Sequence, residues 1–172
     1  FNREVRICRN NLSKQKNEEQ NPQWKRDIII MKTIITHSPE ETEKAGAALA
    51  ERLRGTKFFV AMFGDLGAGK TVFVRGLAGV LSSGSRVKSP TYTIVNEYRK
   101  GDIPLFHFDF YRVENPEELD GLGFEEYTAN GGCIAEWSEN LGDRIPSDAV
   151  KVMIEKTGEN ERKITIEGLS DR

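Results

Sequence analysis

Residues 64–71 constrain the fold of this chain more than any other segment. They are Gly64, Asp65, Leu66, Gly67, Ala68, Gly69, Lys70 and Thr71. This order fits the pattern G-x-x-x-x-G-K-[ST], the P-loop, which follows a buried strand and opens a helix. That context is present, because an apolar run occupies 57–63 and apolar residues recur at helical spacing over 72–81. We therefore predict an α/β fold of the P-loop NTPase type.

The chemistry of a triphosphate explains the residue types in the loop. Gly64 and Gly69 allow backbone angles and a close approach that a Cβ would obstruct. Successive N–H groups can then face phosphate oxygens, and the N-terminus of the following helix adds positive partial charge. Lys70 is predicted to place its charge between the β- and γ-phosphates, and Thr71 to offer its hydroxyl to Mg²⁺. The predicted cofactors are a nucleoside triphosphate and Mg²⁺.

The rest of the pattern predicts a mixed sheet flanked by helices. Ser38, Pro39 and Glu41 indicate a helix start with a capping box, and Gly55 indicates its end. Strands are predicted at 32–36, 57–63, 92–98, 104–110 and 133–137, and a short helix is predicted to begin at 116–119. Two last runs, 150–155 and 163–167, predict a closing antiparallel hairpin. Strands that alternate with helices before a hairpin are typical of a mixed α/β sheet.

The composition is that of an ordinary globular domain. The 172 residues suit one domain, and the net charge of −2 gives no electrostatic reason to expect general nucleic-acid binding. No apolar run approaches the roughly 20 residues that a membrane-spanning helix needs, so no membrane association is expected. Cys8 and Cys133 lack metal-ligand spacing, which favours a reduced, cytoplasmic protein without a thiol nucleophile. Residues 1–30 are basic, and 10–25 contain few residues that bury area, which predicts a disordered extension at 1–30 before a domain at 31–172.

Two carboxylates are candidates for the metal side of the site. A P-loop site needs an acid near Mg²⁺, normally at the end of a strand beside the loop. Asp109 and Glu136 both end apolar strands, so either can reach the metal, and a solvated strand end is the alternative for each. Asp65, inside the loop, is predicted to face solvent or to fix the shape of the loop.

The sequence favours ATP over GTP as the nucleotide. Guanine-specific proteins read the base with an acid, commonly within Asn-Lys-x-Asp, and this chain has no such segment. Asp120 and Gly123 fit the pattern D-x-x-G, but they follow a charged helix start rather than a strand. We interpret them as a turn.

Four ordered motifs resemble the bacterial TsaE (YjeE) family. They are the loop at 64–71, Ser-Pro-Thr-Tyr-Thr-Ile-Val-Asn-Glu-Tyr at 89–98, His-Phe-Asp-Phe-Tyr-Arg at 107–112, and Glu-Trp at 136–137. The resemblance covers residues 31 to about 168. It implies a P-loop ATPase that is required for making threonylcarbamoyladenosine at position 37 of tRNAs that read codons beginning with A.

The resemblance also implies roles for individual residues. Thr91 matches the switch threonine near the γ-phosphate, and Thr42 matches a threonine that contacts the nucleotide, although sequence alone would make it a helix-surface residue. Asp109 matches the aspartate of H-x-D-x-Y-R, and Glu136 matches the acid that assists Mg²⁺ or the attacking water. Trp137 would lie near the nucleotide, with core packing as the alternative.

For two further residues of these motifs, a non-catalytic role is the simpler interpretation. His107 alternates with phenylalanines along a predicted strand, which favours a structural or partner-facing role over catalysis. Arg112 could act on phosphate, but a salt bridge with Glu114 or Glu117 is the simpler interpretation.

The resemblance implies protein partners and a mechanism. Family members bind a TsaD–TsaB pair, and threonylcarbamoyl transfer belongs to TsaD, so tRNA would be met indirectly through the complex. ATP hydrolysis would reset that complex, with Thr91 and Mg²⁺ holding a loop while the γ-phosphate is present. Isolated turnover is expected to be slow, because no arginine finger within the chain is evident.

Two other functions would use the same loop. A small-molecule kinase needs an acceptor pocket and usually a basic lid, whereas the longest predicted loop, 121–132, contains no Arg or Lys. A nucleotide-binding interaction module without hydrolysis is the other alternative. Replacement of Glu136 distinguishes an ATPase, which would lose hydrolysis but retain ATP, from such a module.

Overall fold

One mixed sheet organises this computed structural model, which describes residues 30–115 and 117–169. Its strands are β1 (Ile30–Thr36), β2 (Phe58–Phe63), β3 (Val95–Tyr98), β4 (Leu105–Asp109), β5 (Gly132–Glu136), β6 (Val150–Lys156) and β7 (Arg162–Leu169). Their order across the sheet is β1-β7-β6-β2-β5-β4-β3. The central strands β6, β2, β5 and β4 are parallel, while β1, β7 and β3 pair antiparallel with their neighbours. The predicted mixed α/β fold and the closing hairpin of β6 and β7 are confirmed.

Helices cover both faces of the sheet. They are α1 (Pro39–Leu53), α2 (Lys70–Leu81), α3 (Glu118–Leu122) and α4 (Phe124–Asn130), with a 3-10 segment at Ser138–Arg144. The first two pack on one face of the sheet, and α3, α4 and the 3-10 segment pack on the other. Strand β2 contributes Val60 and Met62 to the first core and Phe59 and Ala61 to the second. Burial on both faces explains its continuously apolar sequence.

Helix α1 begins and ends close to the positions predicted from the sequence. The Ser38 hydroxyl accepts a hydrogen bond from the Glu41 N–H at 3.1 Å. The Glu41 carboxylate accepts from the His37 N–H at 2.7 Å, one residue earlier than the predicted capping box requires. Gly55, with a φ of +72°, follows the last residues of the helix and allows the chain to turn away.

Helices α1 and α2 meet through their backbones at two glycines. A Cβ added to Gly46 would lie 2.1 Å from the Phe73 carbonyl oxygen, and one added to Gly76 would lie 1.8 Å from the Glu43 carbonyl oxygen. Neither contact leaves room for a side chain. The close approach fixes α2, and with it the loop that precedes α2, against α1.

Gly76→Ala is therefore expected to lower the free energy of unfolding, because forced overpacking costs about 1–3 kcal/mol or more. Gly79→Ala, on the same helix, is the matched control. An added Cβ there meets nothing within 4 Å, so we expect a gain of about 0.5–1 kcal/mol from the better helix former. Urea denaturation of both variants measures the difference. Equal stability of the two variants would contradict the backbone contact.

The predicted strand at 92–98 is only half formed. Regular pairing covers Val95–Tyr98, whereas the preceding residues turn, and the Pro90 carbonyl accepts from the N–H groups of Thr93 and Ile94. Ile94 has a φ of +63°, which is rare for a β-branched residue and incompatible with a strand. The prediction was wrong here because β-propensity does not register a turn that a preceding proline begins.

Two predicted loops contain helix. The stretch 121–132 holds α4, so it is not a long irregular loop. Asp120 lies inside α3, and Gly123 ends that helix with a φ of 73°, so the predicted turn is a helix terminus. The prediction of disorder for 1–30 falls on residues outside the described ranges, apart from Ile30.

Two further predictions from the composition concern the cysteine thiols and membrane-spanning helices. Cys133 is buried in β5, and burial raises the pKa of its thiol to about 12. Such a thiol is a poor nucleophile at neutral pH, while Cys8 lies outside the described ranges. Across residues 30–115 and 117–169, no helix has the length and apolar character needed to cross a membrane.

Candidate functional site

The glycine-rich loop lies between the end of β2 and the start of α2. Gly64, Gly67 and Gly69 all have positive φ, at 133°, 74° and 110°. A Cβ on Gly64 would also lie 2.2 Å from the Ile154 carbonyl oxygen, so that position is closed to other residues. Gly69 caps α2 without any side-chain hydrogen bond. The first-turn N–H groups of α2 therefore have no side-chain cap, which suits an anion at the helix N-terminus.

Lys70 is buried at the first position of α2, with its charge turned into the loop. Its Nζ donates to the carbonyl oxygens of Gly64 and Asp65, and it lies 3.9 Å from the centre of the Trp137 ring. Burial lowers the pKa of Lys70, while nearby carboxylates, Glu136 first, act in the opposite direction. Phosphate oxygens could replace these contacts, because an anionic oxygen binds an ammonium more strongly than a neutral carbonyl group does.

Glu136 ends β5 directly beside the loop threonine. The Thr71 hydroxyl donates to both carboxylate oxygens, at 3.0 and 3.1 Å. On the other side, His107 Nε2 lies 2.8 Å from Oε1 of the same carboxylate. The carboxylate is buried, so these two contacts replace its hydration. Sequence reasoning placed Thr71 and Glu136 in one site, and their side chains do meet.

The donor set at Thr71 and Glu136 fits Mg²⁺. Within the described residues, no cluster of three or more His, Cys, Asp or Glu could hold a metal ion by itself. Mg²⁺ at nucleotide sites is held by one or two protein oxygens together with phosphate oxygens and water. A hydroxyl and a carboxylate at the head of a P-loop helix meet that requirement.

Asp109 ends β4 and binds a different segment. Its Oδ2 accepts from the hydroxyls of Ser89 and Thr91, both at 2.7 Å, and its Oδ1 accepts from the Tyr111 N–H at 3.1 Å. The Asp109 N–H itself donates to the Ile94 carbonyl at 3.0 Å. The two acids that sequence left equivalent therefore have separate contacts: Glu136 binds the loop threonine, and Asp109 binds the segment that contains Thr91.

Thr42 lies beside the loop and not on an open helix surface. It is buried, and its hydroxyl is 2.8 Å from that of Thr36. It lines a recess between α1, the loop and the β6–β7 turn, together with Ser38, Pro39, Gly69, Val72, Glu159, Asn160 and Arg162. The helix-surface alternative is wrong, because α1 packs against α2 at this point.

Arg162 joins the β6–β7 turn to the loop, and sequence reasoning missed it. Its Nε donates to the Ala68 carbonyl at 2.7 Å. Its Nη1 donates to the carbonyl oxygens of Gly158, Glu159 and Glu161. An arginine that opens an amphipathic strand carries no sequence signal for this contact.

Trp137 and Asp65 border the loop. Trp137 is half-buried, has a φ of 60°, and lies 4.9 Å from the Tyr111 ring, centre to centre. Trp137 contacts Lys70, which puts it at the loop, and it also packs against the second core. It therefore takes part in core packing and lies beside the predicted nucleotide-binding loop. The Asp65 side chain is exposed, as predicted, and the Asp65 backbone carbonyl oxygen accepts from Lys70 Nζ and from the Ala68 N–H.

His107 and Arg112 differ from their predictions in part. His107 is fully buried, so a partner-facing role is wrong and a structural one fits, with the addition of its contact to Glu136. The sequence signal for its burial was the position of this histidine between two phenylalanines. Arg112 lies 4.5 Å from the centre of the exposed Tyr92 ring. No salt bridge of Arg112 with Glu114 or Glu117 forms within the described ranges, because the guanidinium stacks on the aromatic ring.

The fold and the loop define a P-loop protein with a mixed sheet, in which a lysine, a threonine and an acid meet at the head of α2. A family model described as threonylcarbamoyl adenosine biosynthesis protein TsaE matches residues 36–164. The chain belongs to the TsaE family.

Individual relatives agree with that assignment. The tRNA threonylcarbamoyladenosine biosynthesis protein TsaE of Bacillus subtilis is 39% identical over 138 residues, which are 80% of this chain and 85% of the relative. The protein of the same description from Nostoc is 38% identical over 144 residues, covering 81% and 87%. A crystal structure of YdiB from Bacillus subtilis superposes with a TM-score of 0.67 at 34% identity, covering 81% of this chain and 86% of that one.

Proposed function

We propose that this chain binds and hydrolyses ATP with Mg²⁺ as a cytoplasmic subunit of the system that makes threonylcarbamoyladenosine at position 37 of tRNAs. Membership of the TsaE family supports the pathway. The observation that carries the ATPase assignment is the contact of the Thr71 hydroxyl with the Glu136 carboxylate at the head of the P-loop helix.

ATP binding would use the loop and its two flanks. Backbone N–H groups of 64–71 and the Lys70 ammonium would hold the phosphates, since both lie at the N-terminus of α2. Thr42 would lie on the nucleoside side, because it lines the recess that opens beside Gly69. Trp137 would border the phosphates from the opposite side, next to Lys70.

Hydrolysis would add water to the γ-phosphorus and break its bond to the bridging oxygen, giving ADP and phosphate. Glu136 would assist, because it is the acid in contact with the Thr71 hydroxyl, which is proposed to face the metal. Mg²⁺ would neutralise charge on the phosphates. Thr71 and Glu136 would hold it, and Asp109 would contribute through Thr91, whose hydroxyl it binds at 2.7 Å.

The contacts of Thr91 support a proposed switch. Its hydroxyl donates to Asp109, and Ser89 donates to the same carboxylate oxygen. When Thr91 turns towards the γ-phosphate, Ser89 can keep the segment attached to Asp109. Loss of the phosphate would return Thr91 to Asp109, so hydrolysis would change the surface of 89–94 and could reset a partner complex.

The partners would be TsaD and TsaB, with tRNA reached through them. Exposed apolar side chains surround the site: Leu66 at the loop tip is 77% exposed and Tyr92 is 85% exposed. Tyr111, which contacts Trp137, is also exposed. Large exposed apolar side chains beside a nucleotide site favour a protein interface there, so that the partner would sense the nucleotide.

Tyr92→Ala is expected to weaken binding to TsaD–TsaB by about tenfold or more, because truncation of a buried interface aromatic commonly has that effect. ATP affinity of the isolated chain should stay unchanged. Met153→Ala, an exposed apolar position on β6, is the matched control and should bind normally. Titration of labelled protein against the pair measures both. Normal binding by the Tyr92 variant would place the interface elsewhere.

The whole proposal is tested by measuring ATP hydrolysis of the purified chain with and without TsaB, TsaD and tRNA. Slow turnover alone and faster turnover with the pair are expected. Arg162 and Arg112 support slow turnover, since one binds backbone carbonyls and the other an aromatic ring. A rate in isolation that the partners leave unchanged would contradict the switch, and absence of any turnover would contradict the ATPase.

A further inference from the structure

We propose that His107 is a positioning residue that fixes the Glu136 carboxylate for Mg²⁺-dependent nucleotide binding. The proposal rests on the proposed function, because it concerns the same metal side of the site. It assigns a task to a fully buried histidine that would otherwise be a core residue.

The sheet register places His107 beneath α2 next to Glu136. Strands β4 and β5 are parallel neighbours, with His107 opposite Ile134 and Asp109 opposite Glu136. Because side chains alternate along a strand, His107, Asp109, Ile134 and Glu136 share the face of the sheet on which α2 packs. His107 Nε2 reaches Oε1 of Glu136 at 2.8 Å from one side, while Thr71 binds from the other.

The direction of this hydrogen bond follows from its partners. An ionised carboxylate only accepts, so the proton of the bond lies on Nε2. Nδ1 has no hydrogen-bond partner among the described residues and is buried. A proton on Nδ1 would leave an unpaired N–H in the core, which is unfavourable, so the arrangement suits the tautomer protonated on Nε2.

A glutamate side chain has three rotatable bonds, so a second donor restricts the orientation of its carboxylate further. The Thr71 hydroxyl contacts both oxygens, at 3.0 and 3.1 Å, so by itself it does not select a rotation of the carboxylate. The bond from His107 to Oε1 holds one oxygen on the histidine side, and among the described residues Oε2 has only Thr71 as its partner. His107 would thereby present Oε2 towards the metal side, much as outer-shell partners orient metal-binding carboxylates.

The test compares ATP affinity with Mg²⁺ and with a chelator, by calorimetry on the full chain. His107→Leu removes the donor and His107→Gln keeps an N–H near the position of Nε2. We expect His107→Leu to lose about tenfold in Mg²⁺-dependent affinity, as loss of a hydrogen bond to a charged group predicts. The ATP affinity of His107→Leu in chelator should change by less than about twofold. His107→Gln should retain most of the Mg²⁺-dependent affinity that His107→Leu loses.

Two further variants separate positioning from packing. In a Glu136→Gln background, His107→Leu should have no further effect on Mg²⁺ dependence, because the group it positions is gone. His107→Asn keeps a small polar side chain that is too short to reach Glu136, so it should lose Mg²⁺ dependence as His107→Leu does. This variant also provides the comparison if His107→Leu fails to fold.

Two results would overturn the positioning role and leave His107 as a core residue. One is an equal loss of ATP affinity with and without Mg²⁺. The other is an undiminished effect of His107→Leu in the Glu136→Gln background. These outcomes are distinct from failure of the proposed function. A parent chain that binds ATP with Mg²⁺ but shows no turnover would contradict the ATPase while leaving the His107 comparison intact. A parent chain whose ATP affinity ignores Mg²⁺ would overturn both.

Discussion

Lys70→Ala is expected to weaken ATP binding by at least about 100-fold, the loss that corresponds to removing charge-assisted bonds to phosphate. Lys70 is buried, and its Nζ lies inside the loop on the carbonyl oxygens of Gly64 and Asp65. The substitution removes the positive charge that Lys70 places inside the loop. Calorimetric titration with ATP and Mg²⁺ measures the effect, and turnover should become undetectable with it.

Lys151→Ala is the control for that loss. Lys151 is an exposed lysine on β6, so the same substitution removes the same charge from the chain without touching the loop. Its ATP affinity should match the parent within about twofold, since an exposed surface charge is screened. ATP affinity of Lys70→Ala close to that of the parent would show that residues 64–71 do not bind the triphosphate.

Glu136→Gln is expected to lower the rate of ATP hydrolysis by about 10²–10⁴-fold, the range for removal of a positioned acid or base. The amide keeps the volume and can still accept from Thr71, so the buried site should remain folded. ATP should still bind, because Lys70 and the loop backbone are unchanged, while the Mg²⁺-dependent part of the affinity should fall as it does in His107→Leu. Single-turnover hydrolysis together with ATP titration separates the two effects.

Glu126→Gln, on the exposed surface of α4, makes the same change of charge and serves as the control. It should leave both hydrolysis and ATP binding unaltered. Retained hydrolysis in the Glu136 variant would move the catalytic assignment to Asp109. Absence of turnover in the parent chain, with and without partners, would favour the non-hydrolysing interaction module.

The separate positions of the two acids shape these expectations. Glu136 contacts Thr71 and His107, while Asp109 contacts Ser89 and Thr91. One acid therefore contacts the loop threonine, and the other contacts the segment proposed to move. In the proposed function, hydrolysis and the change passed to a partner would depend on different residues.

The sequence predicted the elements around the loop because their signals are local. An apolar run buried on both faces gave β2, the glycines gave the loop, and the period of apolar residues gave α2. The capping residues at Ser38 and Gly55 gave both ends of α1. Where a local signal was misread, at 92–94 and 121–132, the cause was also local: a turn that β-branched residues concealed, and a short helix without strong periodicity.

The sequence by itself determined the P-loop, and with it nucleotide binding as the expected class of function, since residues 64–71 lie between a strand and a helix. It could not separate Asp109 from Glu136, because both end apolar strands. Only the tertiary structure decided which of the two contacts the loop threonine: β5 pairs directly with the loop strand β2, and β4 lies one strand further away. The same pairing brought His107 to Glu136, and the packing of α1 on α2 brought Thr42 to the loop. Strand order and helix contact depend on burial and hydrogen bonding between distant segments, which no local pattern encodes.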